Sequence, residues 1–299
     1  MKTKLKDLPK FWKGVIIVLV VFHVLLLAVF IGFQSFLTNM RADSAAKRAA
    51  VRKADSELIG TRFTLQRDGK ALVEMNLYFP EQIESQKLPV LFNLHGGGFM
   101  LGDADEMDTQ CDHWANEWNT IVVSIDYTKA DVKPISYGVE EIVDTVLYFE
   151  EHAEEYSADP DKFSVIGHSA GGHYAAKAAI ALDKKGFSLA AQILMCPWAT
   201  GLPDRVSSTV APALFILGSA DEISQRSVTY QQALRDSGVS VTVKEYEGGL
   251  HPFIAAPYPE LSLSLTEEER SEFITETQKM LAVQAENDIG EWLMQVLQS

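Results

Sequence analysis

Most of the chain alternates between continuous apolar runs and stretches in which apolar residues recur at helical spacing. Continuous apolar runs of this kind are typical of strands that are buried on both faces of a sheet. Four of them lie at 88–94, 120–125, 189–195 and 213–217. Residues 139–153 and 226–237 carry the apolar spacing of amphipathic helices. The alternation predicts an α/β fold with a mostly parallel central sheet flanked by helices.

Further patterns flank this core. Residues 62–65 and 71–78 lie on either side of an Asp-Gly turn signal at 68–69, and they predict a hairpin. A run at 239–246 predicts a last strand, and apolar stripes at 273–297 predict C-terminal helices. The whole of 61–299 contains no Pro/Gly/Ser-rich linker, so we expect it to form one domain.

The N-terminal part has a different pattern. Residues 15–33 are apolar apart from His23 and Gly32, which is long enough for a helix to cross a bilayer of about 30 Å. Dense lysines precede the run, and no small-residue cleavage site follows it at 34–40. These lysines are Lys2, Lys4, Lys6, Lys10 and Lys13. We therefore predict an uncleaved single-pass anchor with the N-terminus inside and the catalytic domain extracytoplasmic.

This pattern divides the chain into three parts. Residues 1–40 hold the basic N-terminus and the transmembrane anchor, and 61–299 form the catalytic domain. Residues 41–60 are rich in Ala and in charge. They predict a solvated spacer, with a helical stalk as the alternative.

Charge and cysteine content exclude some classes of function. Residues 1–53 carry a net charge of +8, so the remaining residues hold −23 of the total of −15. Such an acidic body repels nucleic acid, and we expect no nucleic-acid partner. The only cysteines are Cys111 and Cys196, which predict two buried thiols or, alternatively, a single bridge. No cluster has metal-ligand spacing, so we predict neither a metal nor another cofactor.

A serine lies at a change of structure within 162–180. A short apolar run ends in the sequence Gly-His-Ser-Ala-Gly at 167–171, and an Ala-rich helical stretch follows. In the order strand, sharp turn, helix, the pattern G-x-S-x-G exposes the serine oxygen above a sheet. Ser169 is therefore a candidate nucleophile.

A glycine-rich stretch follows the first buried strand. His95 is succeeded by Gly96, Gly97 and Gly98. Consecutive glycines let backbone N–H groups point into a cavity. A phosphate-binding loop is excluded because no Lys-Ser/Thr follows and no G-x-G-x-x-G opens a helix. The stretch therefore predicts an oxyanion hole.

An acid and a base follow later strands. Asp221 comes after the run at 213–217, and His251 follows the last strand, so both lie at the sheet edge where ligands gather. A Ser hydroxyl needs a His to accept its proton and a carboxylate to orient that His. Asp126 and Glu222 are alternatives for the acid. His113, His152 and His173 are expected to be surface or packing residues.

With HGGGF, GHSAGG, an Asp at a strand end and a loop His in this order, residues 89–253 resemble the hormone-sensitive-lipase-like branch of the α/β-hydrolase superfamily. The resemblance implies the α/β-hydrolase fold, with Ser169 as nucleophile, Asp221 as acid and His251 as base. It also implies oxyanion-hole amides from three residues and loop support from two. The donors would be Gly97, Gly98 and Ala170, and the supporting residues His95 and Gly96.

Some positions depart from the pattern of that branch. His168 stands where an Asp is usual, and Tyr127 is followed by Thr-Lys-Ala in place of Arg-Leu-Ala-Pro. The interval from Ser169 to Asp221 is short, so we expect no inserted lid there. Residues 253–265 are apolar and rich in proline. They are expected either to line or flap over an acyl pocket or to pack against the C-terminal helices.

The sequence therefore predicts a membrane-anchored serine carboxylesterase that forms an acyl-enzyme. Expected substrates are short acyl esters, because a reduced lid offers little apolar surface, or lipid or envelope esters, because of the anchor. A serine peptidase or amidase on the same fold is an alternative, and a non-catalytic binding protein is another. The sequence does not predict an oligomeric state.

Overall fold

A computed structural model describes residues 9–82, 87–258, 260, 270–271 and 273–298. The chain divides into two compact units, Met1–Ala46 and Lys47–Ser299.

The first unit consists of most of helix α1, Lys10–Val51. In the part of the chain that the structure describes, α1 is the only helix long and apolar enough to cross a membrane, although a signal sequence near the N-terminus would have the same properties. None of its most apolar stretch is buried, and side chains such as Phe22 and Leu25 are more than half exposed. The apolar run at 15–33 therefore forms a candidate membrane span, as its length predicts.

The second unit contains a sheet of eight strands in the order β1-β2-β4-β3-β5-β6-β7-β8. The strands are β1 Thr61–Leu65, β2 Val73–Tyr78, β3 Leu88–Leu94, β4 Ile121–Asp126, β5 Ala158–His168, β6 Ala191–Met195, β7 Ala213–Gly218 and β8 Val241–Tyr246. β1 and β2 form the predicted antiparallel hairpin, and β2 pairs antiparallel with β4. All pairings from β4 to β8 are parallel. The predicted α/β fold with a mostly parallel sheet is confirmed.

Helices cover both faces of this sheet. They are α2 Asp108–Glu117, α3 Ile135–Glu151, α4 Ala170–Lys184, α5 Val228–Asp236 and α6 Glu276–Leu297. Alternate residues of each strand face opposite sides. Phe92 belongs to a core with α3, α4 and α5, whereas Leu91 belongs to a core with α2 and α6. The two cores fix the sheet, and with it the carboxyl ends of its parallel strands.

Three features differ from the sequence analysis or extend it. Within the predicted C-terminal helices, residues 276–297 form α6 and Phe273 is helical just before it, whereas α2 was not predicted at all. Residues 48–60 do not extend freely into solvent, because several of them hydrogen bond to the body of the second unit. Cys111 and Cys196 are buried free thiols rather than a bridge.

The segment at 253–265 is described only in part. Residues 259 and 261–265 lie outside the described residues, and so does the part of the flap hypothesis that concerns them. Phe253 and Ile254 are fully buried in the core formed with α6. The beginning of the segment therefore packs against the C-terminal helix, which was one of the two expectations.

Candidate active site

The nucleophile turn, residues 167–171, joins β5 to α4. Ser169 has a φ of +50°, a conformation that costs a non-glycine residue energy, and its N–H donates to the carbonyl of Met195 at 2.9 Å. A Cβ on Gly171 would lie 1.9 Å from the carbonyl oxygen of Leu94. The turn can therefore pass the neighbouring strand only with glycine at 171, and it holds the Ser169 side chain partly exposed at the sheet edge.

His251 and Asp221 meet Ser169 at this edge. His251 Nε2 lies 2.8 Å from Ser169 Oγ, and His251 Nδ1 lies 2.7 Å from Asp221 Oδ2. The second distance fits a proton on Nδ1, which leaves Nε2 free to accept the hydroxyl proton. The structure therefore brings the predicted nucleophile, base and acid into one hydrogen-bonded series.

Asp221 is held as an ionised carboxylate. Its side chain is buried, and burial raises the pKa, but hydrogen bonds from His251, from the amide of Ile223 and from Ser224 outweigh this and hold the pKa of Asp221 below its usual value. An ionised Asp221 stabilises the imidazolium that forms when His251 accepts a proton.

Cys196 lies beside this acid and base. Its ligand atom and those of Asp221 and His251 are all within 4.8 Å of one another, which makes them the one group in the described chain close enough to hold a metal ion. Burial raises the pKa of the Cys196 thiol well above its usual value, so the thiol stays protonated. Asp221 and His251 are already hydrogen bonded to each other. The hydrogen bond between Asp221 and His251 therefore accounts for the closeness of these two residues without a metal ion.

The glycine loop, residues 95–101, follows β3 and faces the nucleophile turn. A Cβ on Gly96 would lie 3.7 Å from Ser169 Cβ. Gly97 O accepts hydrogen bonds from the amides of Met100 and Leu101, at 3.2 and 2.8 Å. Within the described chain, the N–H groups of Gly97, Gly98 and Ala170 have no hydrogen-bond partner. The three amides that the sequence analysis named are therefore free to bind an oxygen.

His95 lies under the glycine loop as a neutral side chain. Its Nδ1 lies 2.6 Å from the carbonyl of Gly96, and its ring stacks on Tyr127 with centroids 4.4 Å apart. Complete burial, together with the charge of Lys129, lowers the pKa of His95 to about 4. Tyr127 Oη in turn donates to the backbone carbonyl of His95 at 2.6 Å. His95 therefore contacts the loop in the way expected of a supporting residue.

The other acidic candidates lie away from His251. Asp126 accepts from Lys129 Nζ at 2.6 Å and approaches His95 Nε2 at 3.6 Å, and Glu222 is exposed. Among the described residues, neither hydrogen bonds to His251. The carboxylate that hydrogen bonds to His251 is thus that of Asp221.

The remaining histidines have structural surroundings. His113 is exposed, and His152 Nδ1 lies 2.8 Å from the carbonyl of Tyr148. Burial lowers the pKa of His173, whose Nδ1 contacts the Trp198 carbonyl at 3.0 Å. His168 is fully buried, which lowers its pKa to about 3, and its Nε2 lies 3.1 Å from Gln110 Oε1. His168 therefore supports the nucleophile turn as a neutral residue.

Sequence reasoning missed the buried polar group behind His168. Gln110 and Trp114 on α2 donate to Glu286 on α6, at 2.8 and 2.9 Å, and Tyr258 Oη does the same. These residues come from three separate parts of the chain, and none belongs to a motif. A buried Glu on an otherwise apolar helix face was the one available signal.

The chain between β6 and β7 bears on how the site is covered. All of residues 196–212 are described, and they form turns and loops with no helix, so no helical lid is inserted there. A cleft of about 600 Å³ lies between α3, α4 and the turn at 200–203. His173, one turn after Ser169, lines this cleft together with Lys177 and Lys184.

Comparisons with known proteins agree with this fold. A family described as having the alpha/beta hydrolase fold matches residues 91–210. Esterase LipI of Mycobacterium tuberculosis is 35% identical over 143 residues, which are 46% of this chain and 45% of that protein. An acetyl esterase of Salmonella schwarzengrund is 34% identical over 137 residues, 45% of this chain and 42% of that protein. The matched region thus spans less than half the length of either relative.

A solved structure extends the likeness to most of the fold. An ester-hydrolase from the metagenome of Lake Arreo superposes with a TM-score of 0.66 at 20% identity, covering 86% of this chain and 97% of that one. The sequence comparisons confirm the predicted resemblance to esterases of the α/β-hydrolase superfamily, and the solved structure shows that the fold is shared. Over residues 91–210 the chain is similar to carboxylesterases of the α/β-hydrolase fold.

Proposed function

We propose that this protein is a serine carboxylesterase in which Ser169, His251 and Asp221 form the catalytic triad. The observation that carries the proposal is the pair of hydrogen bonds, 2.8 and 2.7 Å long, that joins Ser169 through His251 to Asp221. The esterase names of the relatives support it.

The proposed reaction has two halves. Ser169 Oγ attacks the ester carbonyl carbon while His251 Nε2 accepts the hydroxyl proton, and the tetrahedral intermediate then expels the alcohol, which takes that proton from His251. Water repeats the sequence on the acyl-enzyme and releases the acid. The free amides of Gly97, Gly98 and Ala170 donate to the oxyanion in both halves, assisted by the N-terminus of α4.

Short acyl esters are the proposed substrates. The segment between β6 and β7 contributes no helical lid, so it offers little apolar surface to enclose a long chain. The name of the acetyl esterase among the relatives agrees with this choice.

The test is hydrolysis of a p-nitrophenyl ester series from acetate to palmitate, with Ser169→Ala as the control variant. We expect activity to be highest with the short esters and to fall by about 10⁴-fold or more in Ser169→Ala. Activity that survives this substitution would overturn the proposal. Aminoacyl anilides in the same assay separate an esterase from a peptidase or amidase.

We also propose that α1 anchors the protein in a membrane with the catalytic domain extracytoplasmic. The proposal rests on the exposed apolar residues of α1 and on the lysines before them. We expect the expressed full-length chain to stay with membranes in alkaline carbonate and to dissolve only with detergent. Release by carbonate alone would contradict an integral span.

A further inference from the structure

Two loops meet behind the proposed oxyanion hole. One is the glycine loop, residues 95–101, and the other follows β4 at 127–133. They share one backbone hydrogen bond, from the amide of Ala130 to the carbonyl of Phe99 at 2.8 Å. Phe99 has a φ of +70°, so this part of the glycine loop is held in a conformation that a non-glycine residue rarely adopts.

Arg48 joins the same two loops from the beginning of the second unit. Its guanidinium donates to the carbonyl of Met100, and it binds both carboxylate oxygens of Asp131 at 3.2 Å. Met100 belongs to the glycine loop, and Asp131 follows Ala130 directly. Arg48 therefore closes a ring of contacts that already contains the hydrogen bond between Phe99 and Ala130.

Asp131 depends on this contact. Its side chain is 1% exposed, and in the described chain its carboxylate hydrogen bonds to no other side chain. A buried carboxylate without a partner is costly, which explains why the Arg is drawn into this position.

We propose that Arg48 is a positioning residue that holds the glycine loop in the geometry required to bind an oxyanion. The inference rests on the proposed function and extends it to the part of the chain that was expected to be a spacer. The amides of Gly97 and Gly98 lie three and two residues before the Met100 carbonyl that Arg48 binds. A small displacement of preorganised donors weakens transition-state binding, whereas substrate binding changes little.

The experiment compares Arg48→Gln with Arg67→Gln in the full-length chain. Arg67 is a suitable control because its Nε and Nη2 lie 2.8 and 2.7 Å from Asp144 Oδ2 and it does not contact the glycine loop. We expect Arg48→Gln to lower kcat on p-nitrophenyl butyrate by about 10- to 100-fold with little change in KM. Arg67→Gln should reduce thermal stability but leave kcat near that of the wild type.

A double variant separates positioning from folding stability. Adding Asp131→Asn to Arg48→Gln removes the buried unpaired carboxylate, so the melting temperature should recover. The carbonyl of Met100 still lacks its partner, so kcat should stay low. Arg48→Lys, which keeps one charged donor, should restore part of kcat. The inference is overturned if kcat recovers with stability in the double variant, or if Arg48→Gln lowers kcat no more than Arg67→Gln does.

A second readout does not depend on carboxylic esters. A fluorophosphonate reacts by attack of Ser169 Oγ on phosphorus with loss of fluoride, while His251 takes the proton and the phosphoryl oxygen occupies the oxyanion hole. The labelling rate should fall in Arg48→Gln and hold in Arg67→Gln. If the wild-type chain labels at Ser169 but hydrolyses no ester, the proposed function fails while the labelling rates still decide the role of Arg48.

Discussion

The nucleophile turn and the glycine loop form opposite walls of the same site, but they are held in different ways. The turn at 167–171 takes its shape from its own glycines and from the strand and helix that it joins. The glycine loop is held by Tyr127, by Ala130 and by Arg48, the last more than 50 residues earlier in the chain. The first wall is therefore a local structure, and the second depends on long-range contacts.

The nucleophile turn and the glycine loop therefore differ in which substitutions can displace them. A change within the turn acts directly on the serine and its strand, whereas the glycine loop can be displaced by substitutions that never touch substrate. Substitutions at Asp221, in the glycine loop and at Glu106 should therefore have effects of decreasing size.

Asp221→Asn tests the proposed acid opposite the nucleophile turn. The amide side chain would no longer fix the Nδ1-protonated form of His251, so we expect kcat to fall by about 10³- to 10⁴-fold. Circular dichroism and melting temperature should change little, because the two side chains have the same shape. A fall in kcat of less than about 10-fold would contradict the role of Asp221 in the triad.

Gly97→Ala and Gly98→Ala compare two positions within the glycine loop. A Cβ at 97 would lie 2.2 Å from the carbonyl oxygen of Leu101, and the φ of +117° suits only glycine. We expect Gly97→Ala to lower kcat by about 10²-fold, because the backbone must move. A Cβ at 98 meets open space, and its φ of +59° costs about 1 kcal/mol.

Gly98→Ala should therefore lose some stability and keep most of its kcat. Measuring kcat and melting temperature for both variants checks this order. Equal losses of kcat in the two variants would show that the loop does not depend on the close approach of Gly97 to Leu101.

Glu106→Gln tests the acidic segment at 103–108, which directly follows the glycine loop. Burial raises the pKa of Glu106 to about 7, and repulsion from Asp103 adds to this effect. A raised carboxyl pKa in the folded state means that folding stability is fully present below the ordinary value of 4.5 and declines as the pH rises to about 7.

Glu106→Gln should remove part of that decline, because Gln does not titrate and its carbonyl can still accept from the amide of Asp103. We expect the variant to melt several degrees above the wild type at pH 8, which corresponds to about 2 kcal/mol in the free energy of unfolding. This difference should disappear at pH 4. Thermal unfolding at several pH values checks the sign. A constant difference across this range would contradict the titration.

The contrast between the two walls also explains what the sequence could predict. Ser169 lies in a short motif whose strand, turn and helix are consecutive, so local pattern was sufficient to find it. Asp221 and His251 were found because each follows a strand of the same parallel sheet, and the carboxyl ends of such strands meet at one edge. The glycines of the glycine loop were found for the same reason.

The supporting contacts could not be found in this way. Arg48 and Asp131 are 83 residues apart, and nothing in either local pattern distinguishes them from solvated charges. The same holds for Glu286, whose partners are Tyr258 and two residues of α2. Such pairs form only when tertiary packing has excluded water from both groups, so their energy does not appear in composition or periodicity.

The two buried thiols determine how the folded domain responds to oxidants and thiol reagents. Cys111 and Cys196 are free, fully buried, and both have a pKa raised by burial, so neither favours the thiolate that would react with an oxidant or form a bridge. The catalytic unit thus contains no bridge that an oxidase would need to make, and it presents no reactive sulfur to glutathione. Thiol-directed inhibitors should therefore leave the activity of the folded protein unchanged.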